Sequence, residues 1–484
     1  MTFRRMTSLL IAACVVPAMV GVPGASAGDE RSGAGFAVRM VKLAGDPADP
    51  DTLEHLRFCR KLGFNAVWVY SGQTGAWTKE RAPQGPILDP NFLRLARWCH
   101  RHGMDVWISI NPVADSFERF VFSDPDGERR LLNFATMLRK DANVRRIVLS
   151  FDDQPTTLRE LSDVFRYGAS SAPAHLDLAR RVSLAQPQDV AWWLCASVYC
   201  DTHLGDGSGA YGNAFLAGLP ALPSTIGIVW TGPNVLSPTI TDGDIAATRS
   251  RLGGRPLLLY DNALTNDFDE EDALGMVLAP LRGRAPGIRD LAAAYLVSPL
   301  GPLAGSRLTL LTAADFLRDP SGYDPDASVA RAIKRLAGSD RQAATALETQ
   351  QIEWGRPIGA VRGGIRDVMT AELAAGGLND PALVDSFTWT VARYPGRMAA
   401  LQKVADTAFR DDLLRIMRRR LAVAQAVPLT VDYVARVRAR RPDAAEVLAR
   451  IDALRLSWEG DPDARGVLER FLAAAAVPAA GSSR

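Results

Sequence analysis

The chain is poor in the residues that metal, redox and nucleic-acid chemistry require. Only five of its 484 residues are cysteine and five are histidine. None of the cysteines has metal-ligand spacing, and His100 and His102, which flank Arg101 near a helix end, read as capping or solvated groups. No glycine-rich phosphate turn follows the first strand-like run, which argues against a doubly wound open sheet, the alternative α/β fold. Formal charge is only +2, acids and bases are interspersed, and nothing resembles a basic groove with interleaved aromatics. That argues against nucleic acid as a partner. The basic runs Arg418-Arg-Arg420 and Arg436-Val-Arg-Ala-Arg-Arg441 read as solvated helix faces. Neither a metal nor an organic cofactor is implied.

Apolar runs of membrane length are lacking too, and the one at the N-terminus is too short and too promptly followed by small residues to read as a span. Arg4 and Arg5 precede an apolar run from Leu9 to about Val22, and Ala25-Ser26-Ala27 closes it with small residues. Residues 1–27 therefore read as a signal peptide, which makes the mature protein secreted or periplasmic with no transmembrane span. Ile11-Ala-Ala-Cys14 offers a rival, a lipoprotein-type box acylated on Cys14, but the apolar run continues past that cysteine. Cys59, Cys99, Cys195 and Cys200 remain after cleavage. Export permits disulfides, although a chain of this length does not need them. Cys59 and Cys99 sit at similar places in consecutive expected helices, where buried thiols are the default and a bridge stays open.

What is present is an alternation of strand and helix. Strand-like runs fall at Phe36–Leu43, Ala66–Tyr70, Asp105–Ile110, Arg146–Phe151, Ala191–Ser197, Thr225–Thr231, Arg255–Asn262 and Ala292–Ser298. Amphipathic stretches lie between most of them. Asp51–Leu62 and Asn91–His102 end at Gly63 and Gly103, plausible C′ glycines. This pattern matches a (β/α)8 TIM barrel over residues 28–302, an α/β fold. After about Pro302 the pattern is helical, with candidates at Thr309–Arg318, Ser328–Leu336, Arg341–Glu353, Ile365–Ala374, Pro381–Arg393, Gly396–Phe409 and Asp411–Ala424. Residues 303–484 are therefore expected to form a C-terminal all-α domain.

The fourth run, Ile147 to Phe151, stops on two adjacent carboxylates, Asp152 and Asp153. Buried unpaired charges cost several kcal/mol, so folding alone would not place them at a buried strand's end. The C-terminal tips of barrel strands are where active sites are built. The plainer alternative is that one aspartate caps the next helix and the other is solvated. Other tips are polar or aromatic as well: Tyr70, Asn111, Tyr199, Trp230-Thr-Gly232, Tyr260-Asp-Asn262 and Asn266-Asp267. Aromatic faces stack on a sugar's C–H surface while Asn and Asp satisfy hydroxyls, so the set suggests a cup for a hydroxyl-rich ring.

Phe151-Asp-Asp153, Cys195-Ala-Ser-Val-Tyr199, Val229-Trp-Thr-Gly-Pro-Asn-Val235, Tyr260-Asp-Asn-Ala-Leu-Thr-Asn-Asp267 and Leu278-Ala-Pro-Leu-Arg-Gly-Arg284 resemble, in this order, the glycoside hydrolase family 84 enzymes. These are β-N-acetylglucosaminidases related to O-GlcNAcase and to bacterial hyaluronidase-like proteins. The resemblance spans roughly residues 60 to 300. It implies an exported retaining exo-β-N-acetylglucosaminidase acting on a carbohydrate with a terminal β-linked N-acetylhexosamine. In that family the substrate's own acetamido group attacks the anomeric carbon and gives an oxazoline, an exception to the two-carboxylate scheme. By this resemblance Asp152 accepts the acetamido N–H and stabilises the developing charge. Asp153 is general acid, then base; holding its proton first is favoured by a neighbouring carboxylate and partial burial. Tyr199 donates near the acetamido oxygen or the departing group, Asn262 faces the same side, and Asp267 binds distal hydroxyls. Trp230 and Tyr260 supply aromatic walls, Tyr260 standing where the family has tryptophan.

Three sugar-contacting positions depart from the family. Its first-strand Glu-Gly-Phe-Tyr-Gly reads Met40-Val-Lys-Leu-Ala-Gly45 here, its lysine after the second strand is Gln73, and its Asn-Pro is Ser298-Pro299. Lys42 is a candidate to replace the missing lysine. The alternatives are a carbohydrate-binding barrel that keeps the acids without useful turnover, or a hexosaminidase of shifted sugar specificity. A glycosidase with an aspartate nucleophile fits worst, since adjacent residues on one tip do not straddle a sugar.

Overall fold

The computed structural model describes residues 35–75, 87–113, 120–204, 209–265, 276–299, 303–354 and 392–457, with short pieces between 465 and 477. The expected signal peptide, Cys14, Asn266, Asp267 and the expected helices at Ile365–Ala374 and most of Pro381–Arg393 lie outside them.

Eight parallel strands close into a barrel: β1 (Arg39–Lys42), β2 (Ala66–Tyr70), β3 (Asp105–Ile110), β4 (Arg146–Ser150), β5 (Ala191–Cys195), β6 (Gly227–Trp230), β7 (Leu257–Asp261) and β8 (Ala294–Val297). Each pairs with its sequence neighbours, and β1 closes on β8 through Met40 opposite Leu296. The TIM barrel expected from the alternation is therefore present, with several strands shorter at one or both ends than the apolar runs. Side chains alternate across each strand. Met40, Ala66, Trp68, Trp107, Val148, Trp193, Cys195, Val229, Leu258, Ala294 and Leu296 fill the inside. The intervening residues, such as Val67, Ile108, Leu149, Ile228 and Leu259, join the outer core under the helices. Gly227 starts β6 where a Cβ would lie 2.2 Å from the Trp193 ring. Only glycine leaves that indole its room.

Helix starts follow one chemical device. α1 (Pro50–Lys61), α2 (Pro90–Arg101) and α3 (Pro125–Asp141) each begin with Asp-Pro, the aspartate accepting from an amide of the first turn. Such a cap is worth about 1 kcal/mol, and proline at the first helical position loses no hydrogen bond. Gly63 and Gly103 end α1 and α2 at φ +97° and +68°, the left-handed region that glycine enters freely. α4 (Leu161–Tyr167) and α5 (Ala172–Ala185) follow β4, α6 (Gly209–Gly218) follows β5, and α7 (Asp242–Arg251) follows β6.

α8 (Ile288–Leu291) precedes β8, and beyond the barrel the described residues are largely helical, with α9 (Arg307–Arg318), α10 (Pro325–Ala337) and α11 (Arg341–Trp354) following β8. α9 is sewn to the barrel, Phe36 N–H donating to Leu317 O (3.0 Å) and Leu281 N–H to Thr312 Oγ1 (3.2 Å). The expected short helix Asp411–Ala424 is instead part of one helix, Thr407–Arg438, that runs through Pro428. Proline's missing N–H and steric clash made a break the natural expectation, but Ala424, Ala426, Val427 and Thr430 are buried around it and tertiary packing carries the helix across. Arg419 is buried, so the basic run straddles that helix, and Arg436 pairs with Asp432 and Asp443. Cys59, Cys99, Cys195 and Cys200 are all buried free thiols; Cys59 and Cys99 are not bridged. His102 caps α2, its Nδ1 2.8 Å from Trp98 O.

Candidate active site

The two acids stand where β4 leaves the barrel. Val148 points inward and Leu149 and Phe151 outward, so alternation puts Ser150 and Asp152 on the inner face. Asp152 is half-buried, and Ser150, 2% exposed, donates its hydroxyl to Asp152 Oδ1. Burial pushes Asp152 above the ordinary carboxylate value; the Ser150 hydrogen bond opposes this, the Asp153 charge adds to it, and Lys42 opposes it. Asp153 itself turns out of the strand at φ +56°, a left-handed conformation that aspartate tolerates better than most residues. Its Oδ1 accepts 2.7 Å from the Tyr199 hydroxyl. The partial burial expected for Asp153 is found on Asp152 instead, because the left-handed turn swings Asp153 into solvent.

The cup around the pair is phenolic. The Tyr70 and Tyr260 hydroxyls are 3.3 Å apart, and Tyr260 lies 3.5 Å from Ser298 Oγ, near the outer limit of a hydrogen bond. The Trp68 ring meets Tyr260 edge-on at 5.4 Å. Burial raises the hydroxyl pKa of Tyr70, Tyr199 and Tyr260, so all three are neutral donors. Lys42, on the inner face of β1, places its ammonium 5.4 Å from the centre of the Tyr70 ring.

Other expected site residues take supporting positions. Asn262 donates to Val235 O (3.0 Å), tying the β7 tip to the loop after β6. Gln73 donates to Leu43 O and Gly45 O and accepts from Tyr70 N–H, so its carboxamide braces the loop after β1. Asn111 accepts from Val113 N–H in its own turn. Trp230 does not line the cup. It shares its side of β6 with Ile228, lies in the outer core and donates to Asp201 Oδ1 (3.0 Å). Asp201 also holds Thr248 and Arg251 of α7, so this indole anchors the loop that follows Tyr199. Sequence reading missed Ser150, and period two was the available signal: a hydroxyl between Val148 and Asp152 on one face of an apolar strand. Among the described residues no three of His, Cys, Asp or Glu gather to hold a metal.

A parallel barrel with paired acids, a phenol on one of them and an aromatic cup is the setting a glycoside hydrolase requires. The model of the β-N-acetylglucosaminidase (NAGidase) family matches residues 88–350, and the chain belongs to that family, whose members include the family 84 glycoside hydrolases. Among solved structures it is similar to a mutant of the O-GlcNAc hydrolase of Thermobaculum terrenum, at TM-score 0.62 and 20% identity, covering 91% of this chain and 94% of that one. It is also similar to CpGH84B, at TM-score 0.57 and 16% identity, covering 91% of this chain and 77% of that one. The barrel and its helical C-terminal segment are shared with these neighbours.

Proposed function

We propose that the protein is an exported, retaining exo-β-N-acetylglucosaminidase that works by substrate assistance. The observation carrying this reading is the paired Asp152 and Asp153 at the β4 tip, each held by its own hydroxyl donor, Ser150 and Tyr199. Asp152 faces the barrel interior and takes the acetamido N–H. Electron density then flows toward the acyl oxygen, which bonds to the anomeric carbon as the glycosidic bond breaks. Asp153 gives its proton to the departing oxygen. A water entering on that side loses a proton to Asp153, attacks the anomeric carbon and reopens the oxazoline, so configuration is retained.

Environment separates the roles. In the free protein burial favours a proton on Asp152, while Ser150 and Lys42 favour its anion. A sugar seated in the cup covers exposed Asp153 and displaces water from it. The neutral phenols of Tyr70 and Tyr260 supply donors to the bound ring or its acyl group.

The test is release of a fluorescent aglycone from a β-linked N-acetylglucosaminide by the wild type, Asp152→Asn and Asp153→Asn. Loss of a positioned acid or base typically costs about 100- to 10,000-fold. Both variants are expected to fall in that range while staying folded. A folded wild type with no turnover on gluco- or galacto-configured substrates overturns the reading in favour of a carbohydrate-binding barrel.

A further inference from the structure

Asp152 would have to remain an anion in a place that does not favour one. Beneath it the inner face of β4 continues as Ser150 and Val148, and Cys195 of β5 stands opposite Ser150 in the sheet register. The titratable and charged groups facing Asp152 are Lys42 from β1, Tyr70 from β2, Asp153 on its own loop, Cys195 from β5, Tyr199 from the segment after β5, and Tyr260 from β7. The phenols and the buried thiol are neutral, and Asp153 repels a second negative charge. Within this set only Lys42 supports the anion by charge, and it reaches in from the far end of a flexible side chain. Ser150 is different. Its hydroxyl is covered, belongs to the same strand and aims at one carboxylate oxygen, Oδ1. A carboxylate accepts on both oxygens, so Oδ2 stays available to an amide N–H.

We infer that Ser150 is a positioning residue of the glycosidase site, fixing the orientation of the Asp152 carboxylate and maintaining it as the hydrogen-bond acceptor that the acetamido N–H requires. This role rests on the reading of Asp152 given above. It acts through Asp152 and needs no contact with the sugar. Removing the donor leaves burial and Asp153 opposed by a backbone hydrogen bond at Asp152 and by Lys42, so the ionisation of Asp152 moves to higher pH. A hydrogen bond to a charged group is worth enough that kcat should fall about 10- to 100-fold.

The experiment compares kcat and kcat/KM across pH for full-length wild type, Ser150→Ala, Ser150→Thr and Ser150→Cys on the fluorogenic N-acetylglucosaminide. The expected result is an acidic limb moved to higher pH in Ser150→Ala, kcat reduced with KM little changed, and both restored by Ser150→Thr. Ser150→Cys, a weak donor of similar size, should move the limb in the same direction as alanine, which keeps the test open if the alanine variant folds poorly. On an Asp152→Asn background, Ser150→Ala should cause no further loss. Wild-type turnover with an unmoved acidic limb in Ser150→Ala and Ser150→Cys overturns the role of Ser150 alone. Absence of wild-type turnover overturns the functional reading and this role with it.

Discussion

Two aspartates at barrel tips, Asp152 after β4 and Asp261 at the end of β7, show how one residue type acquires opposite properties. Asp261 shares its side of β7 with Leu257 and Leu259 and points outward, beneath the helices. There burial works to raise its pKa, but Arg284 and the Tyr295 hydroxyl hold it below the ordinary carboxylate value. Arg284 grips it through two nitrogens at 2.7 and 2.8 Å and also donates to Ser237 O and Pro238 O. This carboxylate is a brace between β7 and the loop after β6. Asp152 points inward, has one hydroxyl donor and a like charge beside it, and is raised instead of lowered. A fully satisfied carboxylate is structural; one left short of donors in an open cup is available for chemistry. The side of the strand decides between them.

That contrast can be broken most forcefully on the structural side. Arg284→Leu leaves Asp261 buried without its partner, and truncating one member of a buried pair costs about 3–5 kcal/mol. Chemical denaturation should show a loss of this size; a change below about 1 kcal/mol would mean that the outward aspartate is not a brace. The pH dependence of stability should then separate the two residues. Asp261 has a depressed pKa in the folded state, so its contribution is present above the unfolded value near 4 and disappears as pH falls through the folded one. Asp152 has a raised pKa, so its ionisation costs stability as pH rises from near 4 through the folded value, and the cost is complete above it. Asp152→Asn is therefore expected to raise Tm at pH 7, with the gain shrinking toward pH 4, while Asp261→Asn lowers Tm at pH 7. Melting curves of both variants across pH check the signs.

The smallest effect concerns Trp230. Trp230→Phe removes one hydrogen bond to Asp201 from the outer core and should cost about 1 kcal/mol of stability. Its KM for the sugar substrate should stay within about twofold, because that ring does not line the cup. A large rise in KM without loss of stability would return Trp230 to the sugar site.

Much of this architecture was legible in the amino-acid order. Eight apolar runs at barrel spacing and glycines after α1 and α2 are local signals, and the structure follows them, while the Asp-Pro starts of α1, α2 and α3 went unread. The place of the acid pair was legible because two carboxylates closing an apolar strand fall at a barrel tip. Side-chain direction was harder. Trp230 read as a cup wall because it ends a strand, yet counting by twos from Ile228 puts it outside. Gln73 read as a sugar contact, while its carboxamide is spent on backbone around the β1 loop. Ser150 was passed over inside an apolar run. The helix through Pro428 ran against the local rule, because burial of its neighbours outweighed proline's cost.

The most direct test of the central claim uses the substrate's own acyl group. If the acetamido oxygen is the nucleophile, replacing N-acetyl by mono-, di- and trifluoroacetyl groups withdraws electrons from it and slows bond formation at the anomeric carbon. The account predicts that kcat/KM on the fluorogenic glucosaminides falls steeply with each added fluorine, with Asp152 and Asp153 intact. A rate independent of fluorine number, in an enzyme that hydrolyses the parent substrate, would contradict substrate assistance.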